Sequence, residues 1–82
     1  DGSRDAFLII DLCYSLNKGR QNMVQERLFC EHEDYVQNAC WNKLGDQLIV
    51  ILKSSPRHDP NRRMRARGDL PKIVSEMIAA LQ

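Results

Sequence analysis

The sequence predicts an all-α domain, a small bundle of about four helices, and three observations support this fold class. The chain has 82 residues, of which 43% are hydrophobic and 28% charged, a composition typical of a globular domain. Apolar residues recur every three or four positions along much of the chain. Capping residues and glycines stand where such helices would begin and end. We therefore expect residues 1–82 to form a single helical domain with a long basic loop at 53–68.

The first two predicted helices span residues 4–18 and 22–32. Ser3 can cap the first helix, and Gly19 can adopt the left-handed conformation that ends it. Asn22 can cap the second helix, because its amide oxygen can accept hydrogen bonds from free backbone N–H groups. With only a short turn between them, the two helices are expected to form an antiparallel hairpin.

The third predicted helix spans residues 34–53, with a break allowed at Gly45. Its apolar stripe consists of Val36, Cys40, Leu44, Leu48, Ile51 and Leu52. This spacing fits a helix better than an alternating strand. The fourth predicted helix spans residues 69–81, where Asp69 can act as the cap and Pro71 stands in the first turn. A proline is tolerated there because its missing N–H group has no partner within the helix.

An α/β arrangement is the alternative, because Gly45 can also end a helix and lead into a buried strand. In this alternative, residues 6–12 and 47–53 form two parallel strands. Two parallel strands make too small a sheet to stand alone, so the arrangement requires a partner chain or more of the same domain. The helical bundle is therefore the preferred prediction.

Three cysteines, Cys13, Cys30 and Cys40, are too few for a disulfide-dense secreted scaffold. We expect buried thiols in a reducing environment, which favours the cytoplasm. In the predicted helical hairpin, Cys13 and Cys30 lie at similar distances from the turn at Gly19. They are therefore the candidate disulfide pair, and a bridge between them would indicate a secreted protein. The sequence leaves the compartment undetermined.

Candidate catalytic and metal-binding groups are sparse along the chain. Cys30 and His32 are two positions apart and would diverge on a helix, whereas a metal site needs ligands that converge on one ion. Neither histidine is placed beside Cys13 or Cys40 as a catalytic base would be. We therefore predict a protein that is not an enzyme and has no catalytic residues, metal or cofactor. No apolar run approaches the roughly 18 residues of a membrane span.

Basic charge is concentrated in the predicted loop. Residues 53–67 hold six basic residues and one acidic residue, a net charge of +5, whereas the whole chain carries +1. Such a segment attracts acidic protein surfaces, including the acidic residues of a second copy, which are Glu26, Glu31, Glu33 and Asp34. We therefore predict a non-enzymatic protein-protein interaction module that binds another protein or itself. The predicted binding residues are Arg57, Arg62, Arg63, Arg65, Arg67 and Asp69.

Two other functions are alternatives. Arg67-Gly68-Asp69 is similar to the tripeptide of integrin ligands, in which the arginine enters an acidic groove and the aspartate completes a metal's coordination. The resemblance implies a secreted cell-adhesion ligand, although the same residues also suit the start of a helix. Weak nucleic-acid binding is the other alternative, because arginines neutralise phosphates. The loop has no aromatic residue that could stack on bases, which disfavours this partner.

Overall fold

The fold is α+β, with two helices and one three-stranded antiparallel sheet, in a computed structural model that describes residues 6–53 and 60–81. The elements follow in the order β1 (Phe7–Asp11), α1 (Lys18–His32), β2 (Val36–Trp41), β3 (Gln47–Leu52) and α2 (Pro60–Ala80). The all-α prediction is therefore wrong. About half of the described residues are helix, about a quarter are strand, and the rest are turns and loops.

The last strand along the chain occupies the centre of the sheet, whose order is β1-β3-β2. β3 runs antiparallel to both neighbours, pairing Phe7 with Ile51 on one side and Trp41 with Leu48 on the other. β1 and β2 therefore point the same way, joined by α1 and separated by β3. This is a split β-α-β unit.

Side chains on the strands alternate between two faces of the sheet. Leu48, Val50 and Leu52 of β3 are buried, whereas Ile49 and Ile51 between them are only partly buried. β-branched residues suit a pleated, half-buried surface, which is why this stretch is extended. The buried strand residues join those of both helices in one core. Both helices therefore cover the same face of the sheet, which we call the helix face.

Among residues 6–53 and 60–81 the buried core is entirely apolar, and every helix and strand contributes to it. Its largest fully buried side chains come from α1, β2, β3 and α2 and are Val24, Leu28, Val36, Leu48, Val50, Leu52, Leu70 and Val74. Leu8 and Ile10 add the contribution of β1. The two helices also contact each other directly above the sheet.

α1 begins at Lys18, where the first predicted helix was expected to end, and four residues before the predicted start of the second helix. Its cap is Asn17, whose Oδ1 accepts a hydrogen bond from the backbone N of Arg20 at 2.9 Å. The predicted helix at 4–18 is wrong, because Phe7–Asp11 is a strand. The predicted helix at 22–32 lies within α1, and Gly19 stands in its first turn instead of ending a helix.

β2 and β3 are joined by a tight turn, which replaces the predicted helix at 34–53. The side-chain Oδ1 of Asn42 accepts hydrogen bonds from the backbone N of Gly45 at 2.7 Å and of Asp46 at 3.2 Å. Gly45 has a φ of 74°, in the left-handed region that glycine adopts without strain. The predicted break at Gly45 is thus the turn of a β-hairpin.

The α/β alternative located two strands correctly but gave them the wrong direction. Residues 6–12 and 47–53 do contain neighbouring strands, and these are antiparallel instead of parallel. The objection that such a sheet is too small does not apply, because β2 adds a third strand. This strand was overlooked because its exposed Gln37 and Asn38 give it a weak apolar pattern.

The predicted basic loop at 53–68 is wrong from residue 60 onward, because α2 begins at Pro60. Arginine, methionine and alanine are among the strongest helix formers, and they make up residues 62–67. The buried side chain of Ala66 attaches these turns to the core. Residues 54–59 lie outside the described part of the chain. The predicted helix at 69–81 coincides with the second half of α2.

Neither α1 nor α2 is both long enough and apolar enough to cross a bilayer.

Candidate protein-binding surfaces

The first turns of α2, residues 60–67, form a basic surface that we call the arginine segment. Four of its eight residues are arginine and none is acidic: Arg62, Arg63, Arg65 and Arg67. Arg62 and Arg65 are exposed, whereas Arg63 and Arg67 are partly buried. Arg57, the remaining predicted arginine, lies outside the described residues. The helix therefore holds the positive charge in a more rigid arrangement than the predicted loop would.

Three of these arginines contact other parts of the chain. Nη2 of Arg62 lies 2.9 Å from Oδ2 of Asp34, between α1 and β2, and both side chains are about half exposed. Nη2 of Arg63 lies 3.5 Å from the backbone carbonyl oxygen of Lys53. Nη1 of Arg67 donates a hydrogen bond to the backbone carbonyl of Phe7. These contacts fix the arginine segment against the end of the sheet where β1 begins.

A small pocket of about 140 Å³ lies beside the arginine segment and is lined by Tyr35, Arg62, Arg65, Ala66 and Asp69. The Tyr35 hydroxyl and Nδ1 of His32 are joined by a hydrogen bond of 2.5 Å. Burial raises the pKa of Tyr35, and the nearby carboxylates of Asp34 and Asp69 raise it further, against the opposing effect of Arg62. The hydroxyl therefore stays protonated in the folded domain.

The raised pKa of Tyr35 predicts a loss of stability in alkali. Above about pH 10 the unfolded chain releases this proton more readily than the folded domain, so stability falls as the pH rises through the folded pKa. Tyr35→Phe should remove this part of the alkaline loss in urea unfolding measured on both sides of about pH 10. Tyr14→Phe is the matched control. An equal change in both variants would contradict the assignment.

The other face of the sheet, which we call the open face, is not covered by α1 or α2. It carries apolar side chains on all three strands, namely Phe7, Ile9, Ile49, Ile51 and Cys40. Phe7 is 50% exposed and Ile9 is 57% exposed. An antiparallel sheet with one solvated face usually presents polar residues there, so this surface is unusual.

The open face has a signal in the sequence that the helical-bundle prediction does not use. Residues 7–10 and 48–52 are continuously apolar, whereas a strand with one wet face alternates between apolar and polar residues. Continuous runs indicate strands whose two faces are both apolar. The helices cover one of these faces, so the second one is left as a candidate contact surface.

The integrin-like string lies inside α2, not at the start of a helix. Gly68 and Asp69 are exposed on this helix, while Arg67 donates to the backbone of Phe7. Asp69 is therefore not the helix cap that the sequence predicted. The integrin-ligand hypothesis stays an untested prediction, for which loss of cell adhesion on Asp69→Glu is the measurement.

The three cysteines are free and exposed, so their predicted burial is wrong. Cys13 follows β1, Cys30 lies near the end of α1, and Cys40 lies on the open face. The helical hairpin that would have aligned Cys13 with Cys30 does not form, because the segment around Cys13 is a strand and a loop. The structure therefore offers no support for this disulfide pair.

A cavity of about 400 Å³ lies between the β1–α1 loop and α2. Cys13, Tyr14 and Ser75 are among the residues that line it. Among the described residues, no histidine lines this cavity beside Cys13. Within residues 6–53 and 60–81, no group of three or more His, Cys, Asp or Glu side chains is arranged to hold a metal ion. The basic arginine segment and the apolar open face are therefore better candidates for a functional surface than this cavity.

These features define the chain as a small α+β domain with a split β-α-β unit, a basic helical segment and an open apolar sheet face. Comparison of the chain with protein-family models, curated proteins and solved structures finds no match.

Proposed function

We propose that this domain is a non-enzymatic protein-protein interaction module that binds an acidic protein surface through the arginine segment. The observation that carries the proposal is the concentration of four arginines, without any acidic residue, in residues 60–67 of one helix. A helix presents charges in a fixed pattern, which reduces the ordering cost of binding compared with a loop. Electrostatic complementarity then supplies orientation and a fast association rate.

The contact between Arg62 and Asp34 supports a carboxylate as the group that is recognised. Arg62 binds this carboxylate within the chain at 2.9 Å. Because both side chains are about half exposed, such a pair contributes only about 0–1 kcal/mol. A carboxylate on a partner can therefore replace Asp34 at little cost, and the exposed Arg65 can join in the contact.

The acidic partner is better sought in another protein than in the acidic residues of a second copy. Asp34 is already paired with Arg62, and Glu31 is paired with Arg27 at 3.5 Å along α1. Part of the acidic surface is thus neutralised within its own chain. The arginine segment also has no aromatic residue for base stacking, which favours a protein partner over nucleic acid.

The test is a double charge reversal, Arg62→Glu with Arg65→Glu. A labelled glutamate-rich peptide serves as the acidic probe, and binding is followed by fluorescence anisotropy. We expect the affinity to fall by roughly tenfold or more, because two attractive contacts become repulsive. Circular dichroism establishes that the variant is folded.

The matched control is Lys18→Glu with Lys72→Glu, which changes the net charge equally at two exposed lysines outside the arginine segment. An equal loss of affinity in both double variants would mean that only net charge matters, and the proposal would fail. Tighter binding of duplex DNA than of the acidic peptide at the same salt concentration would instead favour nucleic acid.

A further inference from the structure

The open face is arranged as two rows of side chains that cross all three strands. The register places Ile9, Ile49 and Cys40 in one row, and Phe7, Ile51 and Asn38 in the other. None of these six residues is charged. The contact surface is therefore apolar in its centre and differs in chemistry from the arginine segment.

We infer that the open face is the interface of a symmetric homodimer, in which two sheets pack face to face. The size of the side chains across each row carries the inference. The β1 side is bulky, with Phe7 50% exposed and Ile9 57% exposed, whereas the β2 side has the smaller Cys40 and Asn38. A single copy thus offers both a raised edge and a lower edge.

A two-fold axis parallel to β3 makes these two edges complementary. Rotation about this axis places β1 of each copy over β2 of the other, and β3 over β3. Phe7 and Ile9 then meet Asn38 and Cys40 of the second copy, and the same contacts recur on the other side of the axis. Such mutual contacts are the defining feature of a two-fold interface.

Charge complementarity at one end of the open face supports the same axis. Asp11 ends β1 and pairs with Gln47, whose backbone carbonyl accepts a hydrogen bond from the N of Asn42 at 3.1 Å. Asp11 of one copy is therefore placed over Asn42 of the other, next to the exposed Lys43. The other charged residue of this turn, Asp46, is only partly exposed, and its Oδ1 accepts a hydrogen bond from Nδ2 of Asn42 at 2.6 Å. The dimer therefore contains two pairs of opposite charge, each formed by Asp11 of one copy and Lys43 of the other, on either side of the axis.

The size of the open face indicates a reversible dimer. Three strands about 4.8 Å apart and five residues rising about 3.4 Å each give a face of roughly 14 by 17 Å. Two such faces cover only about 480 Å² in all, well below the about 1,200–2,000 Å² that stable protein interfaces bury. We therefore expect a weak dimer that is populated only at high protein concentration, in exchange with the monomer.

The first test is sedimentation velocity of the whole chain over a range of concentrations, compared with Ile9→Thr. Threonine keeps the branched β-carbon that suits a strand while making the contact polar. The dimer contains the substitution twice, so we expect the dissociation constant to rise by about tenfold or more. The control is Met64→Thr on α2, where the methionine is 71% exposed and lies away from the open face.

A wild-type chain that stays monomeric throughout, or an equal effect of both threonine variants, would overturn the inference. The charge pair gives a second test, which does not depend on the apolar contacts. Lys43→Glu should weaken the dimer, and combining it with Asp11→Lys should restore it. Failure of the double variant to restore dimerisation, in a chain that circular dichroism shows to be folded, would rule out the proposed axis.

Cross-linking tests the axis directly. Two single-cysteine proteins are prepared on a background of Cys13→Ser and Cys30→Ser, one keeping Cys40 and the other carrying Ile9→Cys with Cys40→Ser. A short bismaleimide should link the two proteins when they are mixed and link each one alone much less. More product from either protein alone than from the mixture would contradict the axis. This interface does not involve the arginine side chains, so it can fail or succeed independently of acidic-peptide binding.

Discussion

Replacing Leu48 by alanine is expected to lower the free energy of unfolding by about 2–5 kcal/mol. Leu48 is 0% exposed and lies on the central strand, paired with Ile10 on one side and Trp41 on the other. Shortening it removes apolar contacts to both neighbouring strands and to the helices above. Urea unfolding followed by circular dichroism measures the change.

Leu44→Ala is the matched control for this prediction, because Leu44 lies in the nearby turn and is 73% exposed. The same chemical change there should alter the stability by less than about 0.5 kcal/mol. A domain of this size is stable by only about 4–12 kcal/mol. Leu48→Ala therefore removes a large share of the total. Similar effects of the two substitutions would mean that β3 is not the centre of the sheet.

Gly45→Ala is expected to be the next most damaging substitution, by about 2–4 kcal/mol. The φ of Gly45 is 74°, a conformation that alanine adopts only with strain. An added β-carbon would also lie 2.9 Å from the backbone oxygen of Leu16. That oxygen accepts a hydrogen bond of 2.8 Å from Nε2 of Gln21, which the new methyl group would displace. Thermal and urea unfolding of the variant measure the loss.

Gly68→Ala supplies the control, with the opposite sign. Gly68 lies inside α2, and an added β-carbon would meet nothing within 4 Å. Alanine favours the helix over glycine by about 1 kcal/mol, so this variant should be more stable than the wild type. A Gly45→Ala variant that is as stable as the wild type, or more stable, would contradict the assignment of Gly45 to a left-handed turn.

The helices were the more predictable half of the fold. Apolar spacing located residues 22–32, which lie within α1, and residues 69–81, which overlap the second half of α2 as far as Ala80. The predicted caps were wrong, because Asn22 and Asp69 both lie inside helices. The strands were misassigned because the apolar stripe from Val36 to Leu52 recurs every three or four positions by coincidence. It is made of two strands and the turn between them. The left-handed Gly45 was the local sign of that turn, and it was assigned to a helix break.

The two candidate surfaces differ in how far the sequence could reveal them. The net charge of residues 53–67 follows from composition, so the arginine segment was found without knowing its conformation. The open face depends on the pairing of Phe7 with Ile51 and of Cys40 with Ile49, which bring together residues from distant parts of the chain. Periodicity within one segment carries no information on such pairings, so this surface required the strand register.

The central position of β3 also governs the order in which the chain can assemble. During synthesis, β1, α1 and β2 leave the ribosome before β3, yet β1 and β2 have no ladder contact with each other. The β2–β3 hairpin closes through a short turn, whereas pairing Phe7 with Ile51 closes a much longer loop. Nascent chains that end before Gln47 therefore lack the strand that unites the sheet, and their apolar segments stay exposed until it emerges.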